Sequence, residues 1–485
     1  MVVMTSQTPS RSSSIENAYA EAEARYIAAN PLSREAYEKA TSSLPGGNTR
    51  SVLHWAPYPL CIDSAEGYTL RDVDGHAYVD LLGEFSAGLY GHSDPSLLAA
   101  LAETARGGLS YGGPHTAEAR LAALVTDRFP GVESVRFTNS GTEANLLAIA
   151  AAKAFTRRPS GKVLVFEGAY HGSVLAFPFG CAGGFRGGDG GGDGKFGGLR
   201  ALNAPHDFLV ATYNDVQSVD ALIDSAASEG DGIAAILLEP MLGSGGGVCA
   251  TPAFMSHLRR RAHEVGALLI LDEVMTSRMF DGSGMQDELG VRADLVTLGK
   301  YLGGGASFGA FGGRGDVMAL FDPRRGTSAL PHAGTFNNNV LSMKMGLVGL
   351  ERVFTRKKAR ELHVLGEDVR RKLEAVVQES LGDGTGGSRR SLRVLGCGSI
   401  LVLHFTKKSV DEIASPADWV EDGDPRLLDL FHLEMLNEGF YLARRGYMAL
   451  SLALLEEGRS GWLELDRFVH AVSMFLIRFR NLIKA

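Results

Sequence analysis

At 485 residues, with 45% hydrophobic and 21% charged residues, the chain can fill two or more packed lobes and has the balance of an ordinary soluble globular protein. That balance excludes a disordered or fibrous chain, and a formal net charge of -8 leaves no basic footprint for nucleic acid. No run reaches the roughly 18 consecutive apolar residues of a membrane span, so small molecules are the expected partners. The N-terminus around Ser12, Ser13 and Ser14 is polar and lacks an apolar core, which argues against secretion. A cytoplasmic location is expected, although Arg11 and its serines are compatible with a short organellar presequence ahead of Glu16. Residues 15–40 read as one helix leading into the turn Pro45-Gly46-Gly47-Asn48. Residues 60–81 read as short strands turning at Asp74-Gly75, a small peripheral sheet.

The middle of the chain alternates apolar runs at 163–166, 233–238, 267–271 and 295–298 with helix-length amphipathic segments. Such alternation predicts βαβ units around a mostly parallel sheet covered on both faces. Between 180 and 198 lies a Gly/Asp run that resembles one unit of a calcium-binding β-helix repeat. A single copy has no neighbour to stack on, so a surface loop is expected. After Val340 the pattern turns helical, with a strand at 400–405 and a closing helix at 462–483. The division expected is an N-terminal segment 1–90 belonging to a small lobe, a large domain 91–340, and an α+β lobe 341–485. The four cysteines, Cys61, Cys181, Cys249 and Cys397, lack metal-binding spacing and fit a reducing compartment.

Four motifs in fixed order carry the chemistry. Thr138-Asn139-Ser140-Gly141-Thr142-Glu143-Ala144-Asn145 places hydroxyls and a glycine at a helix start, where free N–H groups and the helix dipole suit a phosphate. A plain helix cap would use the same residues. Phe166-Glu167-Gly168-Ala169-Tyr170-His171-Gly172 follows an apolar strand, where open parallel sheets bind ligands, and Tyr170 can stack on a ring. In Ala267-Leu268-Leu269-Ile270-Leu271-Asp272-Glu273-Val274 a buried strand ends in two acids, and a protonated ring nitrogen is a partner that makes a buried carboxylate useful. Val274 falls on the same side as Asp272. Finally, Leu295-Val296-Thr297-Leu298-Gly299-Lys300 delivers one lysine into a glycine cluster, where burial favours a neutral, nucleophilic amine. A nucleotide-phosphate lysine is the rival reading, but no GxxxxGK[ST] motif is present.

At these residues the chain resembles the class III aminotransferases, which are fold-type I enzymes of pyridoxal 5'-phosphate, over nearly its whole length. Residues 272–276 and 298–313 resemble the glutamate-1-semialdehyde aminomutase branch. Residues 48–53, 272–278 and 332–339 resemble still more strongly the bacterial β-phenylalanine aminotransferases. The resemblance implies an α/β large domain, with a mostly parallel sheet flanked by helices, and a smaller α+β domain. It implies that Lys300 bonds the cofactor and shuttles a proton, that Asp272 holds the ring nitrogen, and that Tyr170 stacks beside His171. Ser140, Gly141 and Thr142 would cradle the phosphate, Val274 would line the ring, Glu239 would order the pocket, and Thr335 would reach in from a neighbouring subunit of a homodimer. Arg50 and Arg445 match positions that take substrate carboxylates, with Arg444 an alternative to Arg445. The Gly/Asp run departs from the bacterial relatives as an insertion.

The activity implied is transfer of an amino group, by a ping-pong route, from an aromatic β-amino acid to 2-oxoglutarate or pyruvate. The rivals are an aminomutase acting within one semialdehyde, a transaminase of ω-amines or ω-amino acids, and a non-catalytic binding module.

Overall fold

The computed structural model describes residues 14–181, 206–228, 230–382, 389–455 and 460–484. The segment compatible with a presequence and the Gly/Asp run lie outside the described residues. Helix α1 (Ile15–Ala29) starts at Ser14, whose hydroxyl accepts the Asn17 N–H, and ends at Asn30. Helix α2 (Pro31–Thr41) begins at once. The single helix expected over 15–40 is therefore two, because Pro31 has no N–H to return and its ring blocks continuation, yet suits a first helical position.

Strands β1 (Ile62–Glu66), β2 (Thr69–Asp72) and β3 (Ala77–Asp80) form an antiparallel meander, and the Gly75 N–H closes the turn on the Asp72 carbonyl at 3.1 Å. Helices α3 (Pro95–Gly107) and α4 (Thr116–Arg128) follow.

The central sheet comprises β4 (Ser134–Thr138), β5 (Lys162–Phe166), β6 (Phe208–Ala211), β7 (Ile233–Leu238), β8 (Leu268–Asp272), β9 (Leu295–Gly299) and β10 (Gly309–Gly313). Its seven strands run in the order β4-β10-β9-β8-β7-β5-β6. All pairings are parallel except those of β10, which lies antiparallel between β4 and β9. Helices α5 (Gly141–Phe155), α6 (Val216–Ala227) and α7 (Pro252–Glu264) are among the crossovers. Every residue of β7, β8 and β9 is buried, which is why those segments read as unbroken apolar runs rather than alternating ones.

Beyond it come α8 (Val340–Val348), the 26-residue α9 (Arg356–Leu381), β11 (Ser391–Cys397), β12 (Ile400–Thr406), α10 (Pro425–Asn437), β13 (Phe440–Tyr441), β14 (Tyr447–Ala449) and α11 (Ser460–Arg478). Strands β11, β12 and β14 form an antiparallel sheet. Strand β13 adds in parallel to β3, and α1 packs on α10 with Arg25 and Glu434 paired at 2.6 Å. The small N-terminal sheet departs from the peripheral placement expected at its inner edge alone: Tyr78, Val79 and Asp80 of β3 are buried where β13 pairs with it, while β1 stays exposed. Among the described residues, no helix is long and apolar enough to cross a membrane.

Candidate active site

Because β5, β7, β8 and β9 are parallel neighbours, the residues that follow them emerge along one edge of the sheet. Tyr170 and His171 follow β5, Glu239 follows β7, Asp272 ends β8 and Lys300 follows β9. Asp272 stands opposite Thr297 in the β8–β9 register, three residues before Lys300. Strand β10 sets Gly309 opposite both Gly299 and Thr138, and so brings the start of α5 to the same edge. A side chain at Gly309 would sit 2.1 Å from the Ser140 carbonyl oxygen, so only glycine fits this approach.

Asp272 is 4% exposed. Its Oδ2 accepts from Asn145 Nδ2 at 2.8 Å and from His171 Nδ1 at 2.8 Å, while Oδ1 accepts the Val274 N–H at 3.0 Å. Thr297 Oγ1 donates to Asn145 Oδ1 at 2.8 Å, and Asn145 Nδ2 also reaches the His171 carbonyl at 3.0 Å. These three donors fix the direction of the carboxylate. Donation from His171 Nδ1 leaves Nε2, which is buried and has no partner among the described residues.

Lys300 adopts φ 55, a left-handed conformation that favours glycine, at the turn from β9 into the glycine cluster. Its Nζ donates to Ser86 Oγ at 3.0 Å. Burial lowers the amine to about 8, against the pull of Glu239 and Asp272, which favour its charged form; Arg445 and Arg278 add to the lowering. The amine is therefore about half neutral near pH 8, and it sits within electrostatic reach of Asp272. Burial pushes the Glu239 carboxyl up to about 7, although its Oε1 accepts the Tyr170 N–H at 2.9 Å and its Oε2 the Gly243 N–H at 3.0 Å.

At the other end of the site, Ser140 caps α5 by accepting the Glu143 N–H at 3.1 Å, and Glu143 returns the bond to the Asn139 N–H at 2.9 Å. The amides of Gly141 and Thr142 form the open end of that helix. Val274 closes over Gly141 so tightly that a Cβ there would lie 2.9 Å from Val274 Cγ2. The Thr142 hydroxyl accepts the Ser173 N–H at 3.2 Å.

The mouth is built by a turn invisible to pattern reading. Gly83, Glu84, Phe85 and Ser86 all have positive φ, of 51, 48, 52 and 75 degrees. For the three non-glycine residues this costs about 1–2 kcal/mol each. The turn aims the Phe85 ring between two cations: Arg50 lies 5.4 Å and Arg445 5.5 Å from its centroid. Arg50 is exposed and paired with Glu84. Arg445 is also 5.6 Å from the Tyr447 ring, and its buried Nε has no partner among the described residues. Arg444 instead turns away to Asp429, at 2.9 Å, so Arg445 is the one that faces the site. Tyr170 is 47% exposed, and both Arg50 and Arg445 act on its phenol, which burial raises.

Thr335 stands apart. It is exposed, on a segment tied to the site by Asn139 Nδ2 donating to Asn337 Oδ1 at 2.8 Å. Glu84, Phe85, Ser86 and Tyr447 lie outside every sequence motif, and the turn residues carry no local signal; Asn145 and Arg278 lie inside the segments 138–145 and 272–278 but carry no assigned role there.

A buried amine whose neutral form burial favours, a buried carboxylate held by three donors, a His171 Nε2 without a partner among the described residues and an open helix end fit a phosphorylated heteroaromatic aldehyde, for whose aldehyde, ring nitrogen and phosphate Lys300, Asp272 and residues 140–142 are the candidates.

Glu273, next to Asp272, points away from this edge. Its carboxylate accepts from Thr276 Oγ1 and from the Met285 N–H at 2.9 Å. Burial pushes it up to about 7 from an ordinary 4.5, with Asp272 adding in the same direction. Between those values the unfolded chain has released a proton that the folded chain keeps, so this group's contribution to stability falls as pH rises from 4.5 to about 7. Glu273→Gln, which can keep both hydrogen-bond positions, is expected to gain a Tm advantage over the parent that widens between about pH 5 and about pH 8. Thermal melts across that range check it, and a constant offset would refute the assignment.

The class III aminotransferase family profile matches residues 53–420. The chain is 44% identical over 467 residues to the beta-phenylalanine transaminase of Variovorax paradoxus, covering 95% of this chain and 96% of that one. The crystal structure of a beta-phenylalanine aminotransferase from Variovorax paradoxus superposes with a TM-score of 0.85 at 42% identity, over 97% of this chain and 99% of that one. A glutamate-1-semialdehyde 2,1-aminomutase of Sorangium cellulosum is 34% identical, over 87% of this chain and 92% of its own.

Proposed function

The chain belongs to the class III aminotransferases, pyridoxal 5'-phosphate enzymes of fold-type I, and from that premise we propose that it moves an amino group from an aromatic β-amino acid to 2-oxoglutarate or pyruvate. The observation that carries the donor class is the pairing of two guanidiniums across one aromatic ring at the mouth, Arg50 and Arg445 on Phe85, in a chain 44% identical to a beta-phenylalanine transaminase. Two separated cations let one mouth take a carboxylate beside an aryl group in one half-reaction and an oxo acid in the other.

When bound, pyridoxal 5'-phosphate supplies an aldehyde that bonds amines and a ring that draws electrons from the carbon beside the nitrogen. Asp272 would hold the ring nitrogen, with Asn145, His171 and the Val274 N–H keeping the carboxylate aimed. Ser140, Gly141 and Thr142 would hold the phosphate, Tyr170 and Val274 would line the ring, and Glu239 fixes the Tyr170 backbone. Lys300 Nζ, desolvated and held by Ser86 Oγ, would take the proton from the amine-bearing carbon of the donor and pass it on within the same half-reaction, and would run that transfer in reverse to protonate the carbon of the oxo acid that gains the amine. Arg50, released from Glu84, and Arg445 orient the carboxylates.

The test is turnover of 3-amino-3-phenylpropanoate with either oxo acid. No reaction with it, alongside good turnover of ω-amino acids, would overturn the donor class; product formed from a semialdehyde without any oxo acid would favour the aminomutase reading. In the same assay Arg445→Met and Arg50→Met are each expected to raise KM for the β-amino acid about 10- to 100-fold, the worth of a charged hydrogen bond, with a smaller change in kcat. An equal rise for an amine without a carboxylate would remove both from that role.

Thr335, exposed in a single chain, would complete the phosphate site of a partner subunit in a homodimer. Light scattering is expected to give the mass of two chains, and a monomer with full activity would exclude the shared site. The four free cysteines suit a reducing, cytoplasmic setting.

A further inference from the structure

Arg278 is among the largest fully buried side chains of the described residues, at 1% exposure, and it lies outside every role assigned above. The groups that act on its charge are burial, Tyr447 and Tyr301, with no acid among them. Its donors go instead to Ser399 Oγ at 3.1 Å, to the Ser86 carbonyl at 3.4 Å and to the Leu450 carbonyl. These acceptors belong to three separate pieces: the β11–β12 connection, the left-handed turn at the mouth, and the segment after β14. A buried guanidinium without an anion is costly, so its use here calls for a reason that an apolar side chain could not supply.

We propose that Arg278 is a positioning residue of the aminotransferase site: it clamps the turn Gly83–Ser86 against the C-terminal lobe and so keeps Ser86 Oγ on Lys300 Nζ. This rests on the aminotransferase reading above. The turn needs such a clamp, because three consecutive non-glycine residues in the left-handed region relax unless held from both ends. From the front, Asp80 Oδ1 accepts the N–H groups of Leu82 at 3.0 Å and Gly83 at 2.9 Å. From the back, the Gly88 N–H closes on the Gly83 carbonyl at 2.9 Å, and the Arg278 guanidinium on the Ser86 carbonyl is the side-chain contact that ties the last residue of the turn to the C-terminal segments. The Ser86 hydroxyl, thus fixed, accepts from the Lys300 amine at 3.0 Å. The charges facing that amine are Glu239 and Asp272, which favour its protonated form, and Arg445 and Arg278, which oppose it. Arg278 therefore acts on Lys300 twice, through the turn and through its own charge.

The two effects separate by substitution. The rate at which an amine-directed acylating reagent labels Lys300 in the full-length, cofactor-free chain, followed by peptide mass spectrometry across pH, reports the amine directly, and kcat of the holoenzyme reports its use. Ser86→Gly suits the positive φ, so folding is preserved while the hydroxyl is lost; labelling of Lys300 is expected to speed up and kcat to fall about tenfold, the worth of one hydrogen bond. Arg278→Met is expected to raise the pH midpoint of labelling and lower kcat about 100-fold. Arg278→Lys keeps the charge but cannot reach three acceptors, so its midpoint stays near the parent's while kcat still falls. Parent-like labelling and kcat in Ser86→Gly, or parent-like kcat in Arg278→Lys, overturns the proposal; if Arg278→Met does not fold, these two variants decide. Labelling needs no donor, so a failure of the donor assignment leaves this readout intact.

Discussion

Lys300→Ala is expected to lower turnover by at least about 10,000-fold, the scale seen when a group that bonds the reacting species is removed. The variant removes the amine that Ser86 holds at 3.0 Å, at the one edge where Asp272 and Glu239 also converge. Loss of activity alone would not distinguish chemistry from collapse, but stability does. Burial lowers the amine to about 8, below the unfolded value of 10.5, so in the cofactor-free chain it withdraws stability fully below about pH 8, and this deficit fades as pH rises toward 10.5. Cofactor-free Lys300→Ala is therefore expected to melt no lower than the parent at neutral pH. Lys300→Gly is expected to be about 1 kcal/mol more stable than the alanine variant, since glycine adopts φ 55 without penalty. Calorimetry of the three cofactor-free chains, with turnover of each reloaded enzyme, checks both statements. Residual activity above a hundredth of the parent's would remove Lys300 from the chemistry.

Asp272→Asn is expected to lower kcat about 100- to 10,000-fold, the consequence of the roughly 3–5 kcal/mol lost when one partner of a buried charged pair is removed. The reason lies in the direction of its hydrogen bonds. Oδ2 faces two donors, Asn145 Nδ2 and His171 Nδ1, and Oδ1 faces a third, the Val274 N–H. An amide must turn its own donor toward one of them, and Asn145 cannot flip to help without abandoning the His171 carbonyl. The change therefore removes the negative charge and misaims what remains. Cofactor affinity by fluorescence titration and kcat are expected to fall together; a variant that binds cofactor and turns over like the parent would show that the ring nitrogen is held elsewhere.

The two residues with these large expected effects were also the most legible in the sequence, for a physical reason. Both end strands buried on two faces, and such strands are continuous apolar runs in which an acid or a lysine stands out. Strand β10 has the opposite character. Gly309-Ala310-Phe311-Gly312-Gly313 lacks β-branched residues and carries no strand pattern of its own; it is a strand because β4 and β9 pair with it on both sides and leave no room for a side chain near Ser140. The left-handed turn was hidden more deeply, because Glu84 and Phe85 have no local preference for positive φ and are held there by Asp80 and Arg278 from outside the segment. In the sequence Arg444 stands as an alternative to Arg445, and Asp429 on the preceding helix is what separates them in the structure. Pro31 was the legible feature passed over, and it divides the first helix.

Strand β10 also bears on how the chain reaches its native state. It is the last strand of the central sheet to be synthesised, yet it occupies the second place in spatial order, with partners formed about 170 residues earlier on one side and about 10 on the other. A chain that ends before Gly309 lacks the strand that sits opposite both Thr138 and Gly299, and with it the pairing that brings the start of α5 to the edge carrying Lys300. A cofactor held between the start of α5 and Lys300 therefore favours chains in which β10 has paired on both sides, and draws the population toward the closed sheet by mass action.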